Sequence, residues 1–181
     1  MIAWRVAPID PKARRGRPFH PLYVPAPSGR HRLDNPDLYA VLYASGEPAG
    51  AVAEAFASFA RWGDYLLEHP RGAHRRLVAL DIPDDPALLD LDDARALVRR
   101  RLRPSQVVTR ERAVTQAWAR KVWEEGAWAG VRWWSYHDPR WTTLGLWVAR
   151  GISVAGLEDL SATHPAVLEA SEVMLRTWSI N

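Results

Sequence analysis

Residues 41–56 read VLYASGEPAGAVAEAF, and they constrain the fold more than any other stretch. The apolar and aromatic run over 39–45, YAVLYAS, has the signature of a buried strand. Gly-Glu-Pro ends it, and a helix starts at Pro48, where proline's missing N–H costs nothing. A strand that turns directly into a helix calls for a mixed α/β architecture.

The rest of the chain extends that pattern. WRVAP over 4–8 is a short apolar strand. A segment with five prolines between Pro11 and Pro27 and little periodicity follows, and 8–29 is read as a proline-rich loop or arm. The helix from Pro48 is expected over 48–69, with Val52, Phe56, Phe59 and Leu66 on one side and Glu54 on the other. RRLVALDIP over 75–83 reads as a strand. A second helix is expected over 91–102, with Asp92 and Asp93 at its front and Arg99, Arg100 and Arg101 at its back, the order that suits the helix dipole. A third, over 109–125, carries Val114, Trp118 and Val122 at spacings of four, with Gly126 just beyond it. Two strands, GVRWWSY over 130–136 and TLGLWVA over 143–149, flank the turn signal HDPR. A last helix is expected over 165–178. Alternating strands and helices without a repeat predict one mixed α/β domain covering 1–181.

Composition narrows the function classes. The 181 residues hold no cysteine, which removes disulfides, thiolate metal sites and cysteine nucleophiles together. A formal charge of +3 is modest for this size, so direct nucleic-acid binding is permitted and not indicated. No run approaches the ~20 apolar residues of a membrane span, and the start lacks the apolar core of a signal peptide. A cytoplasmic protein is expected. Ten tryptophans supply core and interface anchors.

Familiar catalytic motifs are missing: no G-x-G-x-x-G after a strand, no Walker A loop, no H-E-x-x-H and no G-x-S-x-G. The six histidines show no paired metal-ligand spacing, so no metal is expected. Glu124 and Glu125 are adjacent, which on a helix points them about 100° apart and makes a poor acid/base couple.

Glu54 is the carboxylate to explain. Ala51, Ala55, Ser58 and Arg61 share its helical face, a surface nearly flat around the charge. The plainer reading is a solvated glutamate among good helix formers. Just upstream, Arg30 and Arg32 sit in a polar loop, and Tyr39 and Tyr43 lie in or near the strand that feeds the helix. A guanidinium suits a diphosphate, a tyrosine stacks on a ring or donates to a hydroxyl, and a carboxylate stabilises positive charge growing on a sugar.

The stretches R-L-D-N-P, V-L-Y-A-S and A-V-A-E-A-F, followed well downstream by G-V-R-W-W-S, resemble the RES-domain family, named for its arginine, glutamate and serine. Tyr43 and Glu54 are eleven positions apart, and Ser135 follows aromatics in a late strand. The resemblance implies a compact fold similar to ADP-ribosyltransferase toxins. It also implies consumption of NAD+ as a substrate, and the role of toxin in a bacterial toxin–antitoxin pair whose antitoxin carries an Xre-type DNA-binding domain. By resemblance the site would comprise Arg32, Tyr43, Glu54 and Ser135, with Arg30, Arg32, Tyr43 and Ser135 along the NAD+. The usual family form has glycine before its arginine and an aromatic after it. Here Arg32 lies between His31 and Leu33, whereas Arg30 follows Gly29, so Arg30 stays a candidate for the family arginine. For Ser135 the plainer reading is a backbone hydrogen-bonder ending a strand. A homodimer also fits the tryptophan content. Two rival readings stand beside this one: glycoside or nucleoside hydrolysis with Asp34 as second acid, and a non-catalytic binding module using the arginines over 99–103.

Overall fold

The computed structural model describes residues 1–84, 87–147 and 150–179. Its strands are β1 (Ile2–Ile9), β2 (Leu42–Ser45), β3 (Trp62–Gly63), β4 (His74–Asp81), β5 (Leu88–Asp90), β6 (Gly130–Trp134), β7 (Thr142–Leu146), β8 (Ser153–Asp159) and β9 (Trp178–Ser179). The helices are α1 (Pro48–Phe56), α2 (Ala94–Arg100), α3 (Pro104–Val107), α4 (Arg112–Glu124) and α5 (Pro165–Val173). Seven strands form one mixed sheet in the order β5-β6-β7-β2-β1-β4-β8, and β3 pairs with β9 separately. This is the mixed α/β fold that the strand–turn–helix pattern calls for. No helix among the described residues is long and apolar enough to cross a membrane.

Two compact units make up the chain. The first is built from Met1–Tyr23, Ala44–Ile82 and the stretch from Ile152 onward; the second from Val24–Tyr43 and Pro83–Gly151. Their boundary falls inside β2, between Tyr43 and Ala44.

In the first unit β1 pairs antiparallel with β4 along its whole length, from Ile2 opposite Asp81 to Ile9 opposite His74. Leu77, Val78, Ala79 and Leu80 are all buried, as a continuous apolar run requires of a strand covered on both faces. β8 is the edge strand beside β4, with a register shift opposite Ala79 and Leu80; its side chains are mostly exposed, so it carries little of the apolar alternation that would mark a strand. Residues 10–23 are ordered by successive turns, and Asp10 N–H donates to the Phe19 carbonyl at 3.1 Å.

α1 packs on β1 and α5. Ala49, Gly50, Ala51, Val52, Ala53 and Phe56 are its buried residues; the first five are small enough for the helix to lie close to its neighbours. It is shorter than the 48–69 expected. The Trp62 indole N–H donates to the Phe56 carbonyl at 3.2 Å, satisfying one of the carbonyls a helix end leaves open. Phe56, Trp62 and Trp178 then pack edge to face, with ring centroids 5.7 to 6.4 Å apart. This aromatic cluster overrides helix propensity: Phe59 lies outside the helix and exposed, and Leu66 falls in a one-turn 3-10 segment. α5 likewise stops at Val173, because Leu175 takes a left-handed φ of 51° and Trp178 enters β9 beside β3.

In the second unit β5 runs parallel to β6, and β6 is antiparallel to β7, from Gly130 opposite Leu146 to Trp134 opposite Thr142. α4 buries Thr115, Trp118, Ala119 and Val122, at nearly the spacing expected over 109–125; α3 occupies the residues before it. α2 covers less than 91–102, since Asp93 caps it by accepting the Arg95 N–H at 2.9 Å and Arg101 ends it with φ 53°. Of the strand expected over 143–149, Val148 and Ala149 lie outside the described residues. Trp118, Trp133 and Trp141 are buried as core anchors. Gly145 in β7 has a packing reason: a Cβ there would lie 2.2 Å from Leu33 Cδ1, so β7 and the loop before β2 approach closely only without a side chain.

Candidate functional site

Residues 28–43 of the second unit are fixed by their own polar groups and by one face of α4. The buried Asp34 carboxylate accepts the N–H groups of Ser28 and His31, both at 3.2 Å, and the Ser28 hydroxyl at 3.3 Å. It closes the loop that carries Arg30 and Arg32, which removes it as the second acid of a two-carboxylate hydrolase. Thr115 donates its hydroxyl to the Arg32 carbonyl at 2.6 Å, and Gln116 donates its amide to the carbonyls of Gly29 and His31, both at 2.9 Å. Asn35 donates to the Tyr39 phenol at 2.8 Å and to the Gln116 carbonyl at 3.1 Å.

Within that frame the two arginines differ. Arg32 extends inward, and its Nη1 donates to the Val107 and Thr109 carbonyls at 2.7 and 2.9 Å; Arg30 is exposed. The Tyr43 phenol oxygen accepts the Leu33 N–H at 2.9 Å, so the residue after Arg32 is tied to β2. Burial pushes the Tyr43 phenol well above the ordinary tyrosine range and the Tyr39 phenol up to about 12, so both stay protonated well into alkaline solution. The His31 ring lies 6.0 Å from that of Tyr43.

Ser135 also belongs to this unit, just past the end of β6. It is buried, its N–H donates to the Trp141 carbonyl at 2.7 Å, and its hydroxyl oxygen accepts the His137 N–H at 3.1 Å. The serine therefore shapes a tight turn, and its hydroxyl is held in a defined place.

Glu54 is in the first unit. Of the nine residues of α1 it is the one exposed side chain, among residues that are otherwise buried or half-buried. The flat face expected around it is only partly there: Ala51 is buried and Ala55 half-buried, but the helix ends before Ser58 and Arg61.

The first unit also holds a cation that the motif spacing does not single out. Arg5, in β1, is half-buried; Nη1 donates to the Tyr23 carbonyl at 3.2 Å, and Nε has no hydrogen-bond partner among the described residues. Burial pulls its pKa down to about 10. The sequence signal was a charged residue inside the apolar strand WRVAP, a position that charged side chains rarely take without a partner.

One pair elsewhere is structural. Glu125 binds Arg100 through both carboxylate oxygens, at 2.8 and 2.5 Å, and accepts the Trp128 indole N–H at 2.7 Å. This pins Arg100, the second residue of the arginine run over 99–103, and breaks it as a continuous phosphate-binding face. Among the described residues no cluster of three or more histidines and carboxylates is placed to hold a metal ion.

A family model described as the RES domain matches residues 2–167. No curated protein matches the chain. Among solved structures, a chain from the crystal structure of the M. tuberculosis MbcT–MbcA toxin–antitoxin complex is similar in fold. Its TM-score is 0.63 at 16% identity, over 96% of this chain and 88% of that one.

Proposed function

From the premise that this chain belongs to the RES-domain family, we propose that it is the toxin of a toxin–antitoxin pair and acts by cleaving the nicotinamide–ribose bond of NAD+. The observation that carries the reading is Glu54, an exposed carboxylate on a helix whose other side chains are turned inward. In the cleavage the C–N bond breaks with its electron pair leaving on nicotinamide, which departs neutral, and the ribose carbon takes on oxocarbenium character. A carboxylate at the sugar stabilises that charge and accepts from a ribose hydroxyl. Arg32 serves the diphosphate or ribose end, with Arg30 as the alternative; Tyr43 packs or donates along the dinucleotide, and Ser135 orients the nicotinamide half. The acceptor is water, phosphate or a protein nucleophile, each adding a lone pair to the ribose carbon; water or a neutral nucleophile then passes its proton to solvent, and an oxyanion has none to lose. An antitoxin, of the Xre type by family resemblance, is the partner, and a homodimer and a cytoplasmic site of action belong to the same reading.

The test follows free nicotinamide by chromatography when the purified protein meets NAD+, with and without phosphate and with bacterial lysate, beside Glu54→Gln. Release that depends on Glu54 supports the reading. A loss of about 10²-fold or more is expected, the scale of removing one electrostatic stabiliser of a transition state. Folded protein without antitoxin that releases no nicotinamide overturns it.

A further inference from the structure

We propose that Arg110 and Tyr136 form an adenylate subsite in the second unit, with the Tyr136 ring stacking on adenine and the Arg110 guanidinium pairing with the adjoining phosphate. The proposal rests on the NAD+ reading, which supplies a ligand with an adenylate half. Two chain segments that carry candidate residues meet at this pair. Thr109, whose carbonyl holds Arg32 Nη1 at 2.9 Å, is followed by Arg110. Ser135 is followed by Tyr136. The Arg110 guanidinium carbon lies 4.7 Å from the centre of the Tyr136 ring.

Both side chains are exposed, Tyr136 to 50%. Among the described residues Arg110 has neither a salt bridge nor a side-chain hydrogen bond, and its guanidinium lies over the Tyr136 ring face. An exposed contact of this kind is weak and is exchanged readily for a ligand. A π face beside a guanidinium fork matches a planar base joined to a phosphate, the first by stacking and the second by paired N–H donors. Charge selects the half of the dinucleotide: the nicotinamide ring of NAD+ is cationic and is repelled by Arg110, whereas adenine is neutral and its phosphate is anionic.

Calorimetric titration with AMP tests the subsite without requiring turnover. The wild type should bind AMP, Tyr136→Ala and Arg110→Ala should each weaken binding about tenfold, and Tyr136→Phe should retain it, because a phenyl face stacks as well as a phenol. Both side chains are exposed, so unchanged melting temperatures are expected and confirm that the variants fold. In the nicotinamide assay Tyr136→Ala should raise KM for NAD+ while leaving kcat, and should leave nicotinamide mononucleotide, which lacks the adenylate, unaffected. A wild type that does not bind AMP, or alanine variants that bind it equally well, overturns the subsite. AMP binding through this pair in a protein that releases no nicotinamide leaves the subsite standing and fails the NAD+ reading. Nicotinamide release with KM for NAD+ unchanged in both alanine variants does the opposite.

Discussion

The Leu33 N–H donates to the Tyr43 phenol oxygen across 2.9 Å. The hydroxyl thereby fixes the backbone beside Arg32 from the strand that leads into α1. Tyr43→Phe leaves that N–H without its acceptor and should cost about 1–3 kcal/mol in urea unfolding at neutral pH. Burial raises the phenol's pKa in the folded state, so above about pH 10 the unfolded chain loses this proton first and stability falls as pH rises. Tyr43→Phe should flatten that alkaline fall. An unchanged slope would mean that the phenol is solvated.

Arg32 is bound to two carbonyls before any ligand arrives, those of Val107 and Thr109. Arg32→Ala should therefore destabilise by about 1–3 kcal/mol and speed amide exchange over 107–111, where the loop leads into α4. Glu54→Gln, at an exposed position, should stay within about 0.5 kcal/mol of wild type. If Arg32→Ala matched the wild type in urea, the side chain would not be holding that loop.

The contrast between these residues shows what the sequence makes legible. The β2–α1 junction could be read because Gly-Glu-Pro and the apolar runs around it are local signals, whereas the bond from the Leu33 N–H to the Tyr43 phenol joins a loop to a strand in a way that no local signal carries. The end of α1 could not, because it depends on a bond from Trp62 to the Phe56 carbonyl and on Trp178, far along the chain. β8 was hidden by an edge strand's lack of apolar alternation, and β5 by its three residues. Asp34 looked like a spare acid in sequence, whereas three donors from Ser28 and His31 converge on it.

Glu125 offers a test in acid. Its hydrogen bond with Arg100 comes first among the causes that hold its carboxyl below the usual range. That stability is complete above the unfolded-state value of about 4.3 and is lost as pH falls through the lowered folded value. The carboxylate is 35% exposed, so solvent screening limits the pair to about 1 kcal/mol or less. Glu125→Gln should be less stable than wild type at neutral pH by that amount, and the two should converge in acid. A gap that persists there would come from packing around Trp128 instead.

Gly145 joins the sheet to the loop that carries Arg32. An alanine Cβ would sit 2.2 Å from Leu33 Cδ1 and 3.5 Å from the Trp133 ring. Leu33 is fully buried, so its side chain must turn within the core, or the backbone at Leu33 must shift, to admit the methyl. Gly145→Ala should cost about 1–3 kcal/mol, the range for overpacking a filled core. The shift should also stretch the bond from the Leu33 N–H to Tyr43, and under the NAD+ reading nicotinamide release should fall although the substitution adds a single methyl on β7. Smaller partners separate the two effects: Leu33→Val in the Gly145→Ala background makes room for the methyl and should recover part of the activity, a non-additive pairing that independent sites would not show. Strictly additive losses in that double variant would mean that the two positions do not press on one another.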